Sequence, residues 1–139
     1  MSIVAGIDQS PTSRLVVAKA LEQAAWRDTN VHIVHVFYQP MVYTEAAVNW
    51  KEVAASQREG VWHAIEDLLS ESDVPFERVD LEGYPPEALV TYATDIHADL
   101  MVVGTRGRGD LASLVLGSTS HRAIHLAECD VLVVKGVAG

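Results

Sequence analysis

Four short, almost unbroken apolar runs constrain this chain more than any other feature: Ile3-Val4-Ala5-Gly6-Ile7, Val31-His32-Ile33-Val34-His35-Val36-Phe37, Leu100-Met101-Val102-Val103 and Val131-Leu132-Val133-Val134. A half-exposed strand alternates apolar with polar residues, whereas a strand covered on both faces does not. Helix-patterned segments separate the runs. Ser10-Pro11 places a cap residue before a proline at the first helical position, and Leu15, Val17, Ala18, Leu21, Ala24 and Ala25 carry that helix to about Trp26. A second helix is predicted from about Ala46 to Ser70, with Trp50, Ala54, Val61, Ile65, Leu68 and Leu69 on its apolar face. Gly60 weakens its middle by about 1 kcal/mol relative to alanine. Phe76 to Leu81 alternates, as an edge strand does. Gly83-Tyr84-Pro85-Pro86-Glu87 then turns into a helix through Leu89, Val90, Ala93 and Ile96, and a last helix spans about Ser118 to Ala127. The order βαβαβαβαβ demands a parallel sheet with helices on both faces, because each parallel connection is a crossover.

The length of 139 residues suits a single domain, 1–139, with no linker or repeat. Against 10 bases stand 19 acids, a net charge of -9. That balance argues against general binding to nucleic acid or to acidic membranes. The acidity is uneven: residues 45–99 hold 13 acids and three bases, while residues 104–122 hold Arg106, Arg108 and Arg122 against Asp110 alone. Cys129 is the sole cysteine, so no internal disulfide forms. The start, Met1 to Asp8, lacks the basic region of a secretory signal, and no apolar run approaches the ~20 residues that span a bilayer. The expectation is a soluble, cytoplasmic domain.

In an open α/β sheet, ligands sit outside the carboxyl ends of the strands. That rule points to Asp8, to Val36 through Tyr38, to Gly83, and to Gly104 onward. The fourth loop carries the most chemistry: Gly104-Thr105-Arg106-Gly107-Arg108-Gly109-Asp110, then Gly117-Ser118-Thr119-Ser120 at a helix start. Its glycines let the backbone approach a ligand closely. The first amides of a helix have no internal partner and carry partial positive charge. With the Ser118 and Ser120 hydroxyls they form an anion site, and arginine adds local charge. This is a phosphate cradle. It is not a P-loop, since Gly-x4-Gly-Lys-Ser/Thr is absent. Nor is it the Gly-x-Gly-x-x-Gly dinucleotide turn, since Asp8-Gln9-Ser10-Pro11 has no glycine.

The spacing Gly104-x2-Gly107-x9-Gly117-Ser118 resembles the nucleotide-binding motif of the universal stress protein family. Ile3 to Ser10, Val34-His35-Val36, Ala98 to Gly104 and Cys129 to Val134 are similar to that family's strands, so the resemblance covers nearly the whole chain. It implies a five-stranded sheet in the order 3-2-1-4-5. It implies binding of ATP or another adenine nucleotide, with or without a divalent cation such as Mg2+. By position, Asp8 would contact the adenine or ribose end and the Val36 backbone would hold adenine. Val103 and Gly104 would line the ribose, and Gly107, Arg108, Gly117, Ser118, Thr119 and Ser120 would hold phosphates. Asp130 departs from a proline common before the family's last strand, which affects binding little. The resemblance further implies a homodimer through Val131 to Val134. An apolar edge strand left bare is an aggregation hazard, which pairing removes.

The reading is therefore a regulatory nucleotide-binding module rather than an enzyme, with a slow ATPase or nucleotidyl-transfer enzyme as the alternative. Hydrolysis needs an aligned water, a base and usually a metal. Only Asp110 and His121 offer themselves, each without an evident partner. A receiver domain would want clustered acids, which Asp8 lacks. Asp8 ends a buried strand, where acids are often functional; the alternative is a turn or capping aspartate. His121 and His125 lie four apart, a metal-binding spacing, yet no third ligand follows, so a solvated or packed role is favoured. His32 and His35 lie on a strand. Cys129 reads as a small buried apolar residue. Glu45, Glu52, Glu59 and Glu66 read as a solvated stripe. Trp26, Trp50 and Trp62 read as core or packing residues.

Overall fold

The computed structural model describes residues 1–38, 49–105 and 118–136. Among these, the element order is β1 (Ser2–Ile7), α1 (Thr12–Arg27), β2 (Asn30–Phe37), α2 (Trp50–His63), α3 (Glu66–Ser70), β3 (Phe76–Glu82), α4 (Pro85–Asp95), β4 (Leu100–Gly104), α5 (Ser118–Leu126) and β5 (Asp130–Val134). The five strands form one parallel sheet in the order β3-β2-β1-β4-β5, as expected. β1 and β4 are neighbours at the point where the order reverses, and a crevice opens there at their carboxyl ends.

The unbroken apolar runs follow from two-sided burial. One face of the sheet packs Ile3, Ala5, Val31, Ile33 and Val102 against Val17 and Ala20 of α1 and Val61 and Trp62 of α2. The other packs Val4, Val34, Met101 and Val103 against Leu89, Val90 and Ala93 of α4 and Ala123 of α5. Edge strand β3 alternates partly buried and exposed positions, as its sequence does.

Two expectations about helices need correction. The single helix expected to Ser70 is broken into α2 and α3 at Ile65, where φ is -119° and ψ is 4°. Arg14 of α1 holds the break: its Nη1 donates to the Ala64 carbonyl at 2.7 Å, and its guanidinium grips Asp67 at 2.8 and 2.9 Å. The expected start at Ala46 lies outside the described residues. Within them Asn49 caps α2, its side chain accepting from the Lys51 and Glu52 amides.

Trp26 is the second correction: it is 72% exposed. The core stripe of α1 runs through Val17, Ala20, Leu21 and Ala24, and at 100° per residue Trp26 falls on the opposite side. Trp62 is buried, as expected, and Trp50 is half-buried. Cys129 is only partly buried, packed beside the α4–α5 face of the sheet. That burial still pushes its thiol pKa up. Glu52, Glu59 and Glu66 are exposed; Glu45 lies outside the described residues.

Candidate nucleotide crevice

The first wall of the crevice is the turn after β1. Asp8 Oδ1 accepts from the Ser10 amide at 2.8 Å, and the Asp8 amide donates to Ser13 Oγ at 2.8 Å. The Ser13 hydroxyl lies 2.9 Å from the Asp8 carbonyl and 3.2 Å from Oδ1. Ser10 Oγ accepts from the Thr12 amide, but α1 begins at Thr12 with Pro11 at the cap position, one residue later than the expected Ser10 cap. Asp8 therefore does act as the turn aspartate, through one oxygen, and it remains exposed at the crevice.

The second wall is the end of β4. A Cβ on Gly104 would lie 2.8 Å from Thr12 Cγ2, so a glycine lets β4 meet the first turn of α1. The Thr105 amide donates to the Val134 carbonyl at 2.9 Å, and Thr105 Oγ1 accepts from the Gly136 amide at 3.0 Å. Ser120 is fully buried, and its hydroxyl donates to the Thr105 carbonyl at 3.3 Å. The opening turn of α5 is thereby fastened to the end of β4, beside the crevice.

These walls enclose a cavity of about 480 Å3, within the range of small-ligand sites, about 300–1,000 Å3. Of the ten residues expected at the site, Asp8, Val36, Val103, Gly104, Thr119 and Ser120 line it. Ser118 opens α5 next to them. Gly107, Arg108 and Gly117 lie outside the described residues, as do Arg106 and Asp110. Its lining mixes hydroxyl residues, Thr12, Ser13, Thr119 and Ser120, with apolar ones, Val34, Pro86 and Leu89, and includes Tyr38 and Tyr84. Sequence reasoning did not name Thr12, Ser13, Tyr84 or Leu89 as site residues. The strand-end rule had reached Tyr38 and Gly83, one residue short of Tyr84.

A larger cavity of about 810 Å3 lies between the start of α1 and α2 and shares Asp8 and Ser13. Among the described residues none of β4 or α5 lines it, so it lacks Gly104 and the start of α5. His121 and His125 are exposed on α5, with ring centroids 4.7 Å apart. Among the described residues no group of three His, Cys, Asp or Glu side chains is placed to hold a metal ion. His35 is buried, with Nδ1 3.4 Å from Asp80 Oδ1, which also accepts from Trp62 Nε1 at 2.9 Å. His32 faces the Tyr92 hydroxyl at 2.7 Å. No described helix is long and apolar enough to cross a membrane.

Comparison with known proteins agrees with this architecture. Residues 1–135 match the model of the family described as the universal stress protein family. The chain is 34% identical over 139 residues to universal stress protein A homolog 1 of Coxiella burnetii, covering 95% of this chain and 94% of that one. It is 32% identical over 137 residues to a universal stress protein of Mycobacterium bovis, covering 96% of this chain but only 45% of that longer protein. A universal stress protein of Lactobacillus plantarum has the same fold, with a TM-score of 0.84 at 19% identity over 96% of this chain and 97% of that one. A universal stress protein solved in complex with cAMP superposes with a TM-score of 0.73 at 25% identity, covering 97% of this chain and 96% of that one.

Proposed function

The chain belongs to the universal stress protein family, and from that premise we propose that it binds ATP or another adenine nucleotide in the β1–β4 crevice. One observation carries the reading: a single cavity gathers Asp8, Val36, Val103, Gly104, Thr119 and Ser120, a lining with apolar residues that suit a base and helix-start hydroxyls that suit phosphate. The similar universal stress protein solved in complex with cAMP supports it. Asp8 and the Val36 backbone serve the base and ribose end, and Val103 and Gly104 line the ribose. Ser118, Thr119 and Ser120, with Gly107, Arg108 and Gly117, hold the phosphates, with or without a divalent cation such as Mg2+.

The protein acts as a regulatory, stress-response binding module in the cytoplasm, as a homodimer paired through β5, and not as an enzyme. Mass spectrometry of the ligand released from freshly purified protein identifies the nucleotide. Calorimetry then tests the phosphate end. Gly117→Val abolishes binding, and Ser118→Ala weakens it by about 1 kcal/mol or somewhat more, as loss of a hydrogen bond to a charged group does. Affinity unchanged in both variants overturns the assignment. Single-turnover hydrolysis of bound ATP would instead favour an enzyme.

A further inference from the structure

The chain leaves β2 and β3 side by side, with Phe37 in register with Glu82. The ladder runs one step further, because the Gly83 amide donates to the Phe37 carbonyl at 3.0 Å. Gly83 has φ +138°, a conformation that favours glycine, and the chain turns there into α4. The next residue on each loop is a tyrosine. The Tyr38 and Tyr84 rings meet edge to face, with centroids 5.6 Å apart and planes inclined at 63°. Both rings line the crevice, yet they remain 51% and 44% exposed. Such T-shaped pairs are a favoured aromatic geometry. The pair shares the crevice lining with the apolar Pro85, Pro86 and Val36.

We propose that Tyr38 and Tyr84 are specificity-determining residues: an aromatic wall on which the planar base of the bound nucleotide stacks. This rests on the nucleotide reading above and adds what selects the base. The two rings line the crevice about half exposed, and a purine offers them more stacking area than a pyrimidine does. Proline at the first two positions of α4 fixes the backbone that carries Tyr84. The phosphate end reads charge alone; the tyrosine wall makes the crevice prefer a nucleotide over a bare polyphosphate.

The test uses the full chain, with AMP and inorganic pyrophosphate as probes, followed by calorimetry and NMR. In the unmodified protein, the AMP H2 and H8 resonances move upfield, as protons over an aromatic ring do. Tyr84→Ala and Tyr38→Ala each weaken AMP roughly ten- to hundred-fold, the range that removing a base-stacking ring produces. Tyr84→Phe retains AMP affinity, and none of the variants changes pyrophosphate affinity. If AMP shifts the Asp8 and Thr119 amides but its H2 and H8 stay put and the alanine variants bind normally, the wall is overturned while the nucleotide site stands. If AMP shifts none of these amides, the nucleotide reading fails and the wall with it.

Discussion

A methyl group placed on Gly104 would lie 2.8 Å from Cγ2 of Thr12, which ties the end of β4 to the first turn of α1 at the floor of the crevice. Side-chain carbons do not approach that closely without displacement. Gly104→Ala is expected to destabilise the fold by about 1–3 kcal/mol, the usual cost of overpacking, and to weaken nucleotide binding. Thr12→Ser removes the offending methyl, so the double variant recovers most of the lost stability in urea unfolding. Strictly additive losses would show that this contact does not exclude the side chain.

Asp8 uses one oxygen to hold its own turn, accepting from the Ser10 amide and facing the Ser13 hydroxyl. Asp8→Ala should therefore cost about 1 kcal/mol of stability, the scale of a lost turn or cap acceptor. Asp8→Asn keeps a side-chain oxygen and should cost much less, while still weakening the proposed ligand. Equal destabilisation by both variants in denaturant melts would contradict the turn role.

Arg14 hydrogen-bonds Asp67 and holds its carboxyl down at about 2, below the ordinary 3.8. The folded-state value is the lower one. The pair's contribution is therefore present above about pH 4 and lost as pH falls toward 2. Carboxyl-carbon NMR should follow Asp67 to a midpoint near 2 in the native protein, and Arg14→Met should return it to the ordinary carboxylate range. A native midpoint near 4 would mean that the ion pair does not persist in solution.

Val131, Leu132, Val133 and Val134 remain only partly covered on the β5 edge. Paired with a second copy, the chain would sediment at twice its 15.1 kDa mass at micromolar concentration. A one-chain mass there would refute the dimer.

Much of the fold was legible because two-sided burial leaves a local signature. Ile3 to Ile7 and Leu100 to Val103 are apolar throughout because helices cover both faces of β1 and β4. Phe76 to Glu82 alternates because β3 is an edge. The break between α2 and α3 was not legible. Its holding interaction joins Arg14 to Ala64, 50 residues apart, and leaves no mark in the local pattern. Trp26 misled because residue type alone suggested burial, whereas its angular position on α1 faces water.

The site divides the same way. Residues that end strands, such as Asp8, Val36 and Gly104, can be named from the chain alone, because every parallel strand delivers its carboxyl end to the same side of the sheet. That locates a crevice and the glycine and hydroxyl residues beside it. Which side chains meet across it depended on tertiary structure. Tyr38 and Tyr84 come together because β2 and β3 pair with Phe37 opposite Glu82 and because Gly83 extends that ladder. Thr12 reaches Gly104 because α1 folds back across β4. Register and crossover packing join residues distant in sequence, and no single stretch of sequence encodes either.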